Sequence, residues 1–224
     1  SIAQPRILDY NNQDKYEYAG ASGGYLDFLG YPFCRGRILG NIEKSDKYNT
    51  TREIFWASGS CFIIRKSIFK LLNGFDEDFF CHMEEIDLCW RLKNLDSSYK
   101  IITIGKANVY HVGGGTMQYG GNRKNYLNFR NSLVMLIKNL PKKYFIFSLF
   151  LRFISDLFIL IFSVLLFRFG LSFSILSAYY FNILNFRKSL SKRKKGLGSY
   201  KYFICFSILI NYYFFGKKTF SSIK

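Results

Sequence analysis

Residues 76–95 read DEDFFCHMEEIDLCWRLKNL. This segment contains both a helical pattern and a cluster of carboxylates. Six of the fifteen acidic residues in this 224-residue chain fall within twelve positions here, although the net charge of the chain is +17. Either a solvated acidic face or a catalytic site would explain such a cluster. The six residues are Asp76, Glu77, Asp78, Glu84, Glu85 and Asp87.

The segment EEIDLCWRLKNL has the period of an amphipathic helix, at about 100° per residue. On such a helix Leu88, Cys89, Leu92 and Leu95 form an apolar arc, and Glu85 lies in the middle of that arc. Burying an ionised carboxylate without a partner is costly. We therefore expect Glu85 to have a functional role.

The other charged residues of this segment favour a structural interpretation. Glu84, Asp87 and Arg91 lie opposite Glu85, where Asp87 and Arg91 have the spacing of an i,i+4 pair. The pattern favours helix N-terminal charge and a surface ion pair. Asp76 and Asp78 are spaced to share a metal ion, but their context is that of a tight turn. We expect Asp76 to be a turn or cap residue.

Two histidines are present, and only one is placed as a metal ligand would be. His111, in VYHVGGGT, ends an apolar strand just before a glycine run, where side chains commonly reach a pocket and imidazole can bind a divalent metal. A lone histidine is more often structural, so the pattern leaves both roles open. His82, in CHMEE, lacks the second histidine of a zinc-protease helix.

Before Pro141, the pattern is typical of an α/β protein. Short apolar runs (IFWASGSCFII, IITIG, NVYHV) alternate with helix-like segments (RKSIFKLL, EEIDLCWRLKNL, LNFRNSLVMLIKNL). The five cysteines are odd in number and include no C-x-x-C, which argues against a disulfide framework or zinc knuckle and favours a reducing compartment. Pro141 makes a natural boundary.

After Pro141 the composition changes: this tail has 14 basic residues and one acid, Asp156. The apolar run Leu157–Leu184 is long enough to span a bilayer, or it forms two shorter helices broken near Gly170, with Arg168 reaching the headgroups. A second apolar run, YFICFSILINYYFFG, follows. Between the runs lies a basic cluster that favours anionic lipid: Arg187, Lys188, Lys192, Arg193, Lys194, Lys195 and Lys201.

The alternative for the tail is a buried helical subdomain with a solvated basic loop. Nucleic acid is not an expected partner, because the aromatic residues lie in long aliphatic runs and not in a polar groove. We expect membrane association, and the sequence leaves spanning and surface attachment open.

The front part of the chain resembles glycosyltransferase family 2, in its rhamnosyltransferase-like, polysaccharide-building branch. Four stretches carry the resemblance: EYAGASGGYLDFLGYPFCRGR, FWASGSCFIIRKSIFKLLNGFDEDFFCHMEEIDLCWRLKN, VYHVGGGT and LNFRNSLVMLIKNLP. They occur in the family's order and cover most of residues 16–141. The resemblance implies the acceptor-side half of a GT-A (Rossmann-like) α/β domain over residues 1–140, with residues 141–224 as a helical, membrane-associated tail.

The resemblance also implies site residues. Glu85 holds the position of the general base, which deprotonates the acceptor hydroxyl as it attacks a nucleotide-sugar with inversion. Glu84 and Asp87 would support it or bind the acceptor. His111 would be a ligand of the Mn²⁺ or Mg²⁺ that holds the leaving diphosphate. The acceptor-binding loop would comprise Trp56, Ser58, Gly59 and Ser60.

One departure from the family is large. The nucleotide-binding half and its metal-binding D-x-D should precede residue 1 by roughly a hundred residues, so this chain alone should bind a UDP- or dTDP-sugar poorly and be inactive. The tail fits an acceptor glycan carried on a polyprenyl lipid at the cytoplasmic face of a bacterial inner membrane. The alternative is a non-catalytic, membrane-peripheral scaffold with a degenerate transferase half.

Overall fold

The computed structural model describes residues 1–17, 20–113, 121–194 and 201–223. The strands are β1 (Ile2–Asp9), β2 (Gly24–Leu26), β3 (Pro32–Cys34), β4 (Arg37–Ile38), β5 (Asn41–Ile42), β6 (Arg52–Glu53), β7 (Ile63–Ile64) and β8 (Ile101–His111). The helices are α1 (Lys66–Leu71), α2 (Glu84–Leu95), α3 (Asn122–Asn139), α4 (Phe145–Leu165), α5 (Phe169–Leu184), α6 (Phe186–Ser191), α7 (Ile208–Tyr213) and α8 (Phe220–Ile223). Short 3₁₀ turns precede α2 (Glu77–Phe79) and α4 (Lys142–Tyr144).

A mixed sheet with strand order β6-β8-β1-β7 lies at the centre of the front part. β1 and β8 pair in parallel, and β6 and β7 add antiparallel edges. The register shifts between Pro5 and Arg6, where three residues of β8 bulge out. Pro5 has no backbone N–H to give the ladder, so a bulge at this position is expected. The bulge lets β8 continue to His111.

The predicted α/β class is confirmed, with differences in the strands. The runs IITIG and NVYHV are two halves of one strand, β8, and the three predicted helical segments form α1, α2 and α3. The run IFWASGSCFII supplies only β7, and most of it is loop. A separate antiparallel sheet, β2-β3-β4-β5, was not predicted.

A buried ion cluster joins α2 to α3. The carboxylate of Asp87 accepts hydrogen bonds from Arg91 Nε at 2.7 Å and Asn139 Nδ2 at 2.7 Å, and it lies 2.8 Å from Lys138 Nζ. The predicted Asp87–Arg91 pair is therefore present, but the prediction that it lies on the surface is wrong because Asp87 is fully buried. The helical period of α2 carries no information about α3, which covers this face.

Asp76 is the cap residue that the sequence predicts. Its side chain accepts a hydrogen bond from the Asp78 backbone N–H at the start of the 3₁₀ turn. Lysines surround the pair: Lys138 and Lys192 contact Asp76 at 2.6 Å, and Lys188 and Lys192 contact Asp78. Part of the acidic segment therefore binds the tail.

These contacts change the expectation for the basic cluster. Lys188 and Lys192 pair with aspartates of the front part, and Arg193 donates to the backbone carbonyls of Ile137 and Leu140. Those three cations hold α6 against the front part and are not free for lipid. Lys195 lies outside the described residues.

The apolar tail folds as a helical hairpin. α4 ends at Leu165 and α5 begins at Phe169, so of the two alternatives a broken pair of helices forms. Phe167 has a left-handed φ of 55° at the turn. A Cβ added to Gly170 would lie 2.4 Å from Asn122 Oδ1, so glycine permits the tip to approach α3.

Among the described residues, one helical stretch, Lys142–Leu165, is long and apolar enough to cross a membrane by length and composition. Its most apolar window has a mean hydropathy of 2.2 and is only 17% buried inside the protein. By contrast, the last segments of the tail join the core of the front part. Tyr202 packs on Trp90 at 4.8 Å between ring centroids, and Ile208 N–H donates to Asp27.

We predict that Asp87→Ala lowers the free energy of unfolding by about 3–5 kcal/mol, because it takes the buried carboxylate away from Arg91 and leaves Lys138 with Asp76 alone. Urea denaturation in mild detergent measures the change. The control is Asp14→Ala, an exposed position at which we expect a change within about 0.5 kcal/mol. Equal stabilities of the two variants would show that the cluster does not stabilise the α2–α3 contact.

Candidate active site

A cavity of about 550 Å³ lies between the front part and the tail. That volume is within the range of small-molecule sites. Its walls come from the segment 31–39, the segment 56–60, the segment 81–86 that leads into α2, the end of β8, α3 and two parts of the tail. The lining includes Trp56, Ser58, Gly59, Ser60, His82, Glu84, Glu85, His111 and Arg152.

Glu85 lies in the first turn of α2 and faces this cavity. The residue is half-buried, yet its Oε2 atom is out of contact with solvent and has no hydrogen-bond partner. Gly59 lies against it, since a Cβ at Gly59 would be 3.7 Å from Glu85 Cδ. Burial, followed by the nearby charge of Glu84, raises the pKa of Glu85 to about 7, opposed by hydrogen bonds from backbone amides. A carboxylate with this pKa can accept a proton near neutral pH.

The segment before α2 aims Glu84 and Glu85 into the cavity through an unusual backbone. Phe80, His82 and Met83 all have φ between 62° and 72°, a left-handed conformation that costs energy for residues other than glycine. Contacts from α3 hold this conformation. Arg130 Nη2 donates to the Phe79 carbonyl at 2.8 Å.

Asn131 is the residue that fixes this segment most directly. Its Nδ2 lies 2.9 Å from the carbonyl oxygen of Phe79, 2.8 Å from that of Cys81 and 2.8 Å from that of His82. The sequence prediction gave Asn131 no role. The available signal was a polar side chain in the apolar stripe of α3, where it is fully buried.

Unpartnered polar atoms concentrate in the cavity. Among the described residues, eight buried side-chain atoms have no hydrogen-bond partner, and four of them belong to residues that line this cavity. The four atoms are His82 Nε2, Glu84 Oε2, Glu85 Oε2 and His111 Nδ1. Because buried polar groups are normally satisfied, this cluster indicates a binding site. Burial raises the pKa of Glu84 and lowers that of His82, which favours the neutral forms of both.

The segment 56–60 supplies a second wall. Trp56 packs against Gly24, where an added Cβ would lie 1.9 Å from the indole, and its Nε1 donates to Tyr25 O at 3.0 Å. The Ser58 and Ser60 hydroxyls are 2.6 Å apart, so the loop presents hydroxyl groups beside the aromatic ring. The structure therefore brings Trp56, Ser58, Gly59 and Ser60 together with Glu84 and Glu85.

His111 lies at the end of β8, as predicted, and lines the cavity. Its Nδ1 is 3.3 Å from Glu17 Oε2 in a geometry that makes no hydrogen bond. An unpartnered imidazole nitrogen beside a carboxylate suits a metal ligand. However, no group of three His, Cys, Asp or Glu side chains able to hold a metal ion occurs within residues 1–17, 20–113, 121–194 and 201–223. Gly114 and Gly115 of the predicted glycine run lie outside those residues.

Asp87 does not reach the cavity, because its carboxylate is bound in the ion cluster between α2 and α3. The tail, in contrast, contributes to the site in a way that the sequence did not predict. Arg152 of α4 lines the cavity, while its guanidinium is held by Asp156 at 2.9 Å and by Ser132 Oγ at 2.8 Å.

Part of the chain is similar to known rhamnosyltransferases. It is 38% identical over 60 residues to an N-acetylglucosaminyl-diphospho-decaprenol L-rhamnosyltransferase of Mycobacterium tuberculosis, in strains CDC 1551 / Oshkosh and H37Rv. It is 43% identical over 66 residues to the rhamnosyltransferase WbbL of Escherichia coli K12. No family model matches the chain.

These similarities cover 27% and 30% of this chain, and 19% and 24% of the respective relatives. The matched stretch is therefore less than a quarter of the length of each of these relatives. Such partial similarity is consistent with a glycosyltransferase and extends to a small part of the sequence.

We predict that Asn131→Ala loosens the segment that carries Glu84 and Glu85. The carbonyls of Cys81 and His82 would lose the Asn131 donor, whereas that of Phe79 keeps Arg130, and an unsatisfied buried carbonyl costs about 1–3 kcal/mol. Hydrogen–deuterium exchange should become faster across residues 80–86 and stay unchanged in β1. Asn122→Ala, at the exposed start of α3, is the control. Unchanged exchange in the Asn131 variant would show that other contacts fix the segment.

Proposed function

We propose that this chain is the acceptor-side part of an inverting, metal-dependent glycosyltransferase. It would transfer a sugar from a UDP- or dTDP-sugar to a glycan or polyprenyl-linked acceptor in bacterial cell-surface polysaccharide synthesis. The observation that carries the proposal is the buried, unpartnered Glu85 oxygen, which faces a cavity large enough for a sugar. The partial similarity to rhamnosyltransferases supports the same reaction class.

In the proposed reaction Glu85 is the general base. Its carboxylate takes the proton from an acceptor hydroxyl while that oxygen forms a bond to the anomeric carbon of the donor. The bond from the anomeric carbon to the diphosphate oxygen breaks, and the nucleoside diphosphate leaves with the electron pair. A single displacement of this kind inverts the anomeric configuration. The raised pKa of Glu85 suits the role, because a base works best when its pKa lies near the working pH.

The other cavity residues would bind the acceptor. Trp56 would supply an apolar part of the wall beside a sugar ring, and Ser58 and Ser60 would supply polar groups to it. Glu84, with an unpartnered Oε2, would accept a hydrogen bond from a second acceptor hydroxyl. We assign Asp87 to the scaffold because its contacts are all with α2 and α3.

A divalent cation would complete the site. Mn²⁺ or Mg²⁺, when bound, would supply positive charge to the leaving diphosphate. Among the described residues, His111 is the side chain placed to bind such an ion. We propose that the other ligands come from a D-x-D in a nucleotide-binding half of the natural protein.

The proposed location is the cytoplasmic face of the bacterial inner membrane. The apolar helix α4 and the exposed apolar residues of α5 favour attachment to a bilayer, where a lipid-linked acceptor would be found. The competing interpretation, a non-catalytic scaffold, predicts no transfer from any nucleotide-sugar.

We predict that Glu85→Gln in the natural full-length protein lowers kcat by about 10²–10⁴-fold, the usual contribution of a general base. Binding of the donor should stay nearly unchanged, because Glu85 touches the acceptor side. In the parent, activity should rise with pH and level off above about 7, since the ionised carboxylate is the base. Glu77→Gln, an exposed neighbour, is the matched control. Comparable turnover in the Glu85 variant would remove Glu85 as the base.

We predict that His111→Ala weakens nucleotide binding in the presence of Mn²⁺ and has little effect in the presence of a chelator. Isothermal titration with UDP or dTDP, with and without the metal, measures both. Tyr110→Ala, at the neighbouring exposed position of β8, is the control. The same metal dependence in the His111 variant as in the parent would exclude His111 as a ligand.

A further inference from the structure

The polarity of the two faces of α4 is the reverse of that in a helix of a water-soluble protein. Every fully buried residue of α4 is polar or charged: Ser148, Arg152, Asp156 and Ser163. Its exposed residues are large and apolar, including Ile146 at 80% exposure, Phe158 and Leu165. Water would favour the opposite arrangement. The outer face of α4 is therefore built for an apolar surrounding.

The same inversion continues beyond α4. The buried side chains of α5 are mostly small or polar, and Phe173 and Ile183 on its outer face are more than 70% exposed. Exposed aromatics follow at Phe214 and Phe215, after α7. Single apolar residues are normal on protein surfaces, but this many large exposed apolar side chains on one helical hairpin mark an interaction site.

The inner face of the hairpin is bound to the front part from its base to its tip. At the base, Ser148 Oγ donates to Phe28 O at 2.7 Å, and in the middle Arg152 donates to Ser132 Oγ. Towards the tip, Ser174 Oγ donates to the backbone oxygen of Asn122, the first residue of α3, at 2.9 Å. These three polar residues of the inner face are thus bound by the front part, and Ser163 and Ser172 bond to each other within the hairpin.

We infer that the α4–α5 hairpin lies in the plane of a lipid bilayer, with its outer face in one leaflet, and does not span the bilayer. The occupant of the exposed apolar surface is a membrane that carries anionic lipid. The choice of the cytoplasmic side of the membrane rests on the proposed function. The inference adds to that function how the chain is attached to the membrane.

The contacts of the inner face argue against spanning. A 21-residue helix is about 31 Å long, close to the hydrocarbon thickness of a bilayer. If α4 crossed the membrane, α3 would lie beside it in the hydrocarbon and would carry the exposed Arg123 with it. The cavity with Glu84 and Glu85 would then also lie within the hydrocarbon. Charged groups at that depth are expensive. An in-plane hairpin buries only apolar side chains.

Exposed cations flank the apolar surface. Lys142 and Lys143 lie at the base of the hairpin, Arg168 lies at its tip, and Arg187 follows α5. Basic residues near an anionic leaflet are attracted to it electrostatically. Because the inner face of α4 supplies Arg152 to the cavity, the cavity would lie about one helix diameter, 10–12 Å, from the lipid surface.

Tryptophan depth measurements test this geometry. Phe147, Phe158 and Leu165 share one side of α4 and have similar exposure, so each is replaced singly by Trp in the complete chain. The chains are bound to equimolar phosphatidylethanolamine–phosphatidylglycerol vesicles that carry bromine either near the headgroups or near the chain ends. Trp56 and Trp90 are buried and give the background, which the parent measures. Ile63→Trp, on the exposed edge of the front part, is the water-facing control.

An in-plane hairpin predicts the same shallow depth, about 5–10 Å into the boundary region, at all three positions, with no quenching of the Ile63 variant. A spanning helix would place Phe147 and Phe158 at depths about 16 Å apart, with strongest deep quenching at Phe158. Such a depth gradient along α4 would overturn the inference. The absence of quenching at all three positions would also overturn it. Because the measurement needs no turnover, an inactive protein with an in-plane hairpin would count against the transferase proposal alone.

Discussion

Buried polar side chains of α3 hold the molecule together, and the positions of both the cavity and the tail depend on them. Towards the front part, Asn131 fixes the strained segment before α2, while Lys138 pairs with the carboxylate of Asp87 and Asn139 donates a hydrogen bond to it. Towards the tail, Ser132 accepts a hydrogen bond from Arg152. These groups are expensive to bury unless every partner is present, so α3 has few alternative positions.

Two carboxylates on α2 show how the scaffold and the site differ. Asp87 is bound by an arginine, a lysine and an asparagine, whereas Glu85, two residues earlier, has an oxygen with no partner. Their sequence contexts are alike, and the neighbouring elements make the difference. Asp87 faces α3, and Glu85 faces open space beside Gly59. An unsatisfied group of this kind is explained by a partner that arrives with the substrate.

The sequence predicted features that depend on one element and missed those that depend on two. The period of EEIDLCWRLKNL correctly predicted that Leu88, Cys89 and Leu92 are buried, although Leu95 of the same predicted arc is exposed, and the turn before the helix made Asp76 a cap. The burial of Asp87 was missed because α3 is distant in sequence. Hydropathy likewise found the apolar tail but not its polar inner face, although Ser148, Arg152 and Asp156 recur every four residues. The GT-A assignment, the metal and the boundary at Pro141 stay predictions.

The central claim is that Glu85 acts as a base in a single displacement on a nucleotide-sugar. The most direct test is the anomeric configuration of the first product, followed by proton NMR as the natural full-length protein transfers sugar from a donor of known configuration. Our account predicts a product of inverted configuration. A product of retained configuration would require two displacements and not one. Retention, or the absence of transfer from every UDP- and dTDP-sugar, would contradict the claim.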